Sequence, residues 1–278
     1  MNQTRIDAVA AALAKLEYDG VVAFDRTEPE YSTLETLYDQ YESEGAVKLI
    51  GILAGSQDYM LDGTAQQFWS QLDTTAASYP TIESKMTIRQ LMGDFMEADI
   101  NRTKRDQKRH RLVKLLDDGF DEWFLRNHNT VDPIDVWRQL ADGLNSPMDS
   151  HSVVLAMKIY DIAHLVAHQE YLDFPPEIPI PTNRQINRVA QTSGIVDTDS
   201  ESTVVEAWAE VIDKTSNHLG ANLSLLRIDS IMFQAGQVIS QHDSDRDTAQ
   251  DALIEYFESV LLESGRADQL ATELTVRV

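Results

Sequence analysis

The sequence predicts an all-α fold. Apolar residues recur at steps of three and four, as in Ile6, Val9, Ala10, Leu13 and Leu16, which is the spacing of one helix face. No run alternates in the way a half-buried strand does, and "GVVAF" at 20–24 is too short and isolated to build a sheet. Hydrophobic residues make up 42 % of the chain, enough for a globular core.

After the first helix, similar patterns cover about 33–43, 46–60, 64–72, 82–97 and 101–118. They continue over about 133–143, 150–168, 183–191, 203–218, 223–240 and 245–263. The helix "DPIDVWRQLADGL" runs to Gly143, and the short link "NSPMDS" leads into the next, where Asp149 or Ser150 can cap the start. That next helix is apolar nearly all round (Val153, Val154, Leu155, Met157, Ile159, Ile162, Leu165, Val166) and is therefore expected to be buried. The sharpest break is "DFPPEIPIPTN" at 173–183, where Pro175, Pro176, Pro179 and Pro181 force an extended connection. A second break, "SGIVDTDSEST" at 193–203, is polar. The breaks divide the chain into a middle lobe of about 65–195 and a second lobe joining 1–64 to 196–278.

Charge narrows the class further. Against 23 Lys plus Arg stand 46 Asp plus Glu, a formal net charge of -23. With 28 Asp and only 8 Lys, the composition points to a protein kept soluble at high salt, the alternative being an ordinary acidic protein. No apolar run reaches the roughly 18 residues of a membrane span, and the N-terminus lacks the basic start and cleavage site of a signal peptide. A cytoplasmic location is expected. The absence of Cys excludes disulfides and thiolate metal sites. The His residues are scattered without a His/carboxylate cluster at ligand spacing, so neither a metal nor another cofactor is expected.

Two stretches suggest chemistry. "NRTKRDQKRHRL" at 101–112 gathers Arg102, Lys104, Arg105, Lys108, Arg109 and Arg111 in an otherwise acidic chain. On one helix, Arg102, Arg105 and Arg109 form one stripe and Lys104, Lys108 and Arg111 another. Such a patch fixes where an anionic polymer docks; the competing reading is a charged helix packed against "DDGFDE" (117–122) or "MGDFMEAD" (92–99). In "SHSVVLAMKIYDIA", His151, Leu155, Lys158 and Ile162 share one side of the buried helix. A buried Lys158 needs a partner, unless it snorkels outward or pairs with Asp161. The helix–hairpin–helix link before it offers amide groups and a helix N-terminus to a phosphate.

Five stretches, in order between about 46 and 240, resemble the archaeal 8-oxoguanine DNA glycosylases, N-glycosylase/DNA lyases of the helix–hairpin–helix superfamily. They are "GILAGSQDYMLDGTAQQFW", "DINRTKRDQKRHRLVKLL", "SHSVVLAMKIYDIA", "FPPEIPIPTNRQI" and "LSLLRIDSIMF". The resemblance implies a two-lobed all-α glycosylase-like fold and duplex DNA carrying a damaged purine as partner. It also implies a catalytic lysine that attacks C1′ and an assisting aspartate after "IPIP". Those two positions here hold His151 and Asn183, 32 residues apart as in the family. The implied base pocket comprises Met60 (a glutamine in the family), Trp69, Leu155, Lys158, Asp229 and Phe233 (a tryptophan in the family), with Lys158 and Asp229 able to pair across it. Core packing is the other reading for Met60, Trp69 and Phe233, and a helix N-cap the other reading for Asn183.

Both substitutions bear on chemistry. A Schiff base needs a primary amine, which imidazole lacks. Asn supplies a dipole where a carboxylate would stabilise the cationic sugar. His151 remains a candidate general base on water, and Asp149 or Asp229 a candidate replacement carboxylate. The expected function is DNA base excision, or catalytically silent damage binding. A third reading is an unrelated helical interaction protein. Protein partners and oligomeric state stay open.

Overall fold

The computed structural model describes every residue except 176, 221–222, 243–244 and 262–263. Pro176 and the end of the helix expected over 245–263 therefore lie outside the described residues. Among the described residues the regular structure is helical, with no strand. The chain forms two compact units, Met1–Thr27 with Phe174–Val278, and Glu28–Asp173. The boundaries fall at 27/28 and 173/174, where the sequence placed them near 65 and 195.

The first unit opens with α1 (Gln3–Ala14) and α2 (Glu17–Asp25). The continuous unit then holds α3 (Pro29–Gln40), α4 (Glu44–Gly55), α5 (Ala65–Ala76), α6 (Lys85–Glu97), α7 (Arg105–Asp117), α8 (Phe120–Asn127), α9 (Pro133–Leu144) and α10 (His151–His168). The first unit resumes with α11 (Arg184–Thr192), α12 (Glu201–Leu219), α13 (Asp229–Gln241), α14 (Arg246–Leu261) and α15 (Ser264–Leu274).

In the continuous unit α10 is the core, as its apolar circumference predicts. It packs on α3, α4 and α9. Helix α4 is buried from Gly45 to Gly55. Gly55 permits the α4–α10 seam: a Cβ there would lie 2.7 Å from Ile159 Cγ1 and 3.2 Å from the Ala156 Cα. In the other unit α11 meets α13 as closely, where a Cβ on Gly236 would sit 2.6 Å from the Gln185 carbonyl oxygen.

Side-chain caps fix several helix starts. Thr64 and Gln67 form a reciprocal capping box on α5. Asp132 caps α9, with Pro133 in the first turn. Asn145 ends α9 in the left-handed region at φ 49°, where its short polar side chain is tolerated.

Three helices were not anticipated. Helix α2 contains "GVVAF", whose central apolar run hides the helical period; it buries Val21, Val22 and Phe24. Helix α8 begins after Gly119 at φ 86° inside the acidic "DDGFDE", and buries Phe120 and Phe124 one turn apart. Helix α15 lies beyond the last helical pattern read from the sequence. One expected helix is broken. The run over 101–118 divides into a 3-10 turn at Asp99–Asn101 and α7, with Lys104 at φ 60° between them.

Candidate active site

The α9–α10 link shapes a cleft within the continuous unit. Asn145 reverses the chain, Ser146 N–H donates back to Ala141 O at 3.0 Å, and the Trp137 indole N–H donates to Met148 O at 2.7 Å. Ser150 caps α10 with no side-chain hydrogen bond, so His151 opens the helix at the cleft mouth and is exposed. Tyr59, Gln107, Arg111, Ser146 and Ser152 line this space of about 440 Å³ with His151. The Arg111 guanidinium donates to Ser146 Oγ at 3.3 Å and to Ser152 Oγ at 2.8 Å, tying α7 to both sides of the hairpin. Its cation lies 5.4 Å from the centre of the Tyr59 ring, and the Lys108 ammonium 5.1 Å from it.

Behind the cleft lies a charged cluster. Lys158 is 5 % exposed, so it does not snorkel to the surface. Within its own unit its carboxylate partner is Glu30, at 3.2 Å. Asp161, the local alternative, accepts from the Leu172 N–H at 2.8 Å. Half-buried Asp58 accepts from the Trp69 indole N–H at 3.1 Å. Burial, and then the nearby Glu30 charge, push the Asp58 carboxyl up to about 7. Burial pulls the Lys108 ammonium down to about 8 against the attraction of Asp58. Glu30, Asp58 and Tyr59 were not singled out from the sequence. The only signal for Glu30 was the need of a buried Lys158 for an anion.

The basic stretch divides by partner. Arg105 and Arg109 both pair with Glu97, and Arg102 pairs with Asp62. For Arg105 and Arg109 this is the expected alternative, packing against the acidic 92–99 segment; the partner of Arg102 lies outside both segments named from the sequence. Lys108 corrects the two-stripe reading: it is fully buried and donates to Asn101 Oδ1 at 3.2 Å. The break at Lys104 sets α7 in a register that turns residue 108 inward. Lys104, Arg102 and Arg109 are exposed, and Arg111 is turned toward the hairpin.

The expected pocket residues are distributed over both units. Trp69 is fully buried and stands edge-on to Phe68. Leu155 is half-buried on α10, three residues before Lys158. Met60 is no core residue: it is 61 % exposed, with φ 45°, in the loop that carries Asp58 and Tyr59. In the other unit, Asp229 is buried at the start of α13 and Phe233, one turn later, is half-buried. Asn183 caps α11 there. Its Oδ1 accepts from Gln185 N–H at 2.8 Å and Ile186 N–H at 3.1 Å. Asn183 also borders an open polar depression of about 740 Å³ with Arg184, Asn187, Arg188 and Asp199.

The chain was compared with known proteins. A family model described as AGOG: N-glycosylase/DNA lyase matches residues 10–269. An N-glycosylase/DNA lyase of Thermococcus kodakarensis is 24 % identical over 237 residues, covering 84 % of each chain. One of Pyrobaculum aerophilum is 19 % identical over 243 residues, covering 85 % of this chain and 88 % of the relative. In three dimensions the chain is similar to the 8-oxoguanosine-complexed 8-oxoguanine DNA glycosylase of Pyrobaculum aerophilum. The TM-score is 0.70 at 16 % identity, covering 100 % of this chain and 98 % of that one.

Proposed function

The chain belongs to the AGOG family of N-glycosylase/DNA lyases, and on that premise we propose that it binds damaged duplex DNA and holds an extruded purine without Schiff-base lyase chemistry. The reading rests on the pair of residues, His151 and Asn183, that the family resemblance sets at the catalytic positions. His151 faces the cleft with an imidazole, which cannot form the stable imine of a primary amine. Asn183 brings no charge, and its amide oxygen already accepts two backbone N–H groups. An oxocarbenium-like sugar would meet a dipole there in place of a carboxylate.

The binding parts are retained. The hairpin before α10 and Arg111 offer donors to a phosphate, and Arg102, Lys104 and Arg109 offer exposed positive charge. Within the continuous unit, Lys158 and Glu30 supply a donor and acceptors for a purine edge, and Leu155 and Trp69 apolar walls. Met60, an exposed apolar side chain in the left-handed region beside the cleft, suits a wedge inserted between base steps. The protein would act in the cytoplasm, with double-stranded DNA as its partner.

A strand-incision assay tests the reading. A duplex with one 8-oxoguanine is incubated with the wild type and with His151→Lys/Asn183→Asp, at low and high salt, with and without alkali. The expected result is duplex binding by both proteins and cutting by the double variant alone. Base release by the wild type, seen as cutting only after alkali, would show a monofunctional glycosylase using another acid or base and overturn the account of lost chemistry at His151 and Asn183. Absence of binding by either protein would overturn the DNA reading itself.

A further inference from the structure

The far end of α10 gathers groups that base excision does not use. His164 and His168 stand one turn apart, with ring centres 4.4 Å from each other. Glu44, in the first turn of α4, places Oε1 2.8 Å from His168 Nε2. One donor atom from each of Glu44, His164 and His168 lies within 4.8 Å of the others. Glu44 and His164 are half-buried while His168 is exposed, so the cluster opens to solvent on one side. Residues four apart on a helix face the same way. The carboxylate arrives from 120 positions earlier in the chain, across the close α4–α10 seam that Gly55 permits.

We propose that Glu44, His164 and His168 bind one divalent transition-metal ion, of the Zn²⁺, Ni²⁺ or Cu²⁺ class, with water in the remaining positions. Two imidazoles and one carboxylate suit these borderline ions. Mg²⁺ and Ca²⁺ require oxygen-rich shells, which this set does not offer. The site also lies at the C-terminus of α10, the negative end of the helix dipole. The seam holds the two helices together before the ion arrives, so little ordering is needed to assemble the donors.

One group competes. Lys48, on α4 and 2 % exposed, pairs with Glu44 and lies 3.0 Å from His164 Nδ1. Its ammonium takes the cation's place in the metal-free protein, and binding requires it to withdraw. Around the cluster also lie Glu170, 3.9 Å from His164, and His128, whose ring packs against Gly45. Tyr38 senses the Glu44 charge, and the Tyr160 ring lies 5.9 Å from the Lys48 ammonium.

The test uses untagged full-length protein, stripped with a chelator and dialysed against Zn²⁺ or Mg²⁺ in molar KCl. One Zn²⁺ per chain is expected, without comparable Mg²⁺ uptake. Affinity should fall by about tenfold or more in His164→Ala and in His168→Ala, and rise in Lys48→Met, with helical circular dichroism verifying that each variant folds. Zn²⁺ uptake that persists in His164→Ala/His168→Ala assigns binding to surface carboxylates and overturns the site. Equally, no uptake by either the wild type or Lys48→Met overturns it. Neither outcome depends on DNA binding.

Discussion

Two lysine–glutamate pairs flank α10, Lys158 of α10 with Glu30 of α3 and Lys48 with Glu44 on α4, and the two behave in opposite ways. At the cleft end Lys158 meets Glu30, both side chains 6 % exposed. A second carboxyl, Asp58, lies near them, and burial with the Glu30 charge pushes it up to about 7. At the far end Lys48 meets Glu44. Burial opposes ionisation of Glu44, but hydrogen bonds from Lys48 and His168 outweigh it and hold the carboxyl down at about 2. Burial and Lys48 together pull His164 down to about 4. The same residue pair therefore yields a proton-holding acid beside it at one end and a permanent anion among imidazoles at the other. The third and fourth neighbours set the chemistry.

The largest expected effect breaks the cleft-end pair. Lys158→Met leaves Glu30 buried without that cation and should cost about 3–5 kcal/mol in urea unfolding. Lys48→Met should cost less than about 2 kcal/mol, because half-buried Glu44 keeps its His168 contact and reaches water. Equal losses would dissolve the contrast. Next in size is Gly55→Val, which places a branched side chain in the seam between α4 and α10. Overpacking there should cost about 1–3 kcal/mol, read as a lowered thermal midpoint.

The pH dependence sharpens the comparison. His164 has a folded value near 4, below its ordinary 6.5. The unfolded chain binds the extra proton between those values, so this contribution is full above pH 6.5 and lost as pH falls toward 4. Asp58 has a folded value near 7, above its ordinary 3.8. Its contribution is full below pH 3.8 and lost as pH rises through 7. Each limb is limited to about 1.4 kcal/mol per pH unit for one proton. Urea midpoints against pH should lose the His164 limb in His164→Gln and the Asp58 limb in Asp58→Asn; changes of the same sign would refute the assignment. The smallest effect lies outside both clusters. Asn183→Ala should cost about 1 kcal/mol as a lost helix cap, whereas Asn183→Asp keeps the cap, and thermal melts separate the two.

Periodicity made the helices of both units legible where the apolar face was long and uninterrupted, as in α10 and α12. It failed for α2, where a continuous apolar run masks the period, and for α8, where Phe120 and Phe124 stand among acids that read as surface. The basic stretch was visible as composition, but the left-handed turn at Lys104 was not, and that turn decides that Lys108 faces Asn101 rather than solvent. In the sequence the histidines read as scattered, with no carboxylate at ligand spacing; the packing of α4 on α10 corrects this by bringing Glu44 to His164 and His168.

By itself the sequence determined the all-α class, the burial of α10 and the resemblance to a glycosylase/lyase family, with the expectation that His151 and Asn183 stand at its two catalytic positions. These follow from local periodicity and residue chemistry, which neighbours along the chain already specify. Only the tertiary structure decided that Glu30 partners Lys158, that Asp58 keeps its proton to about pH 7, and that Glu44 joins two histidines. Those outcomes depend on burial and on charges brought together from 28 residues apart for Asp58 and Glu30 to 128 for Glu30 and Lys158, where desolvation and Coulomb energy depend on distance in space and not on separation along the chain.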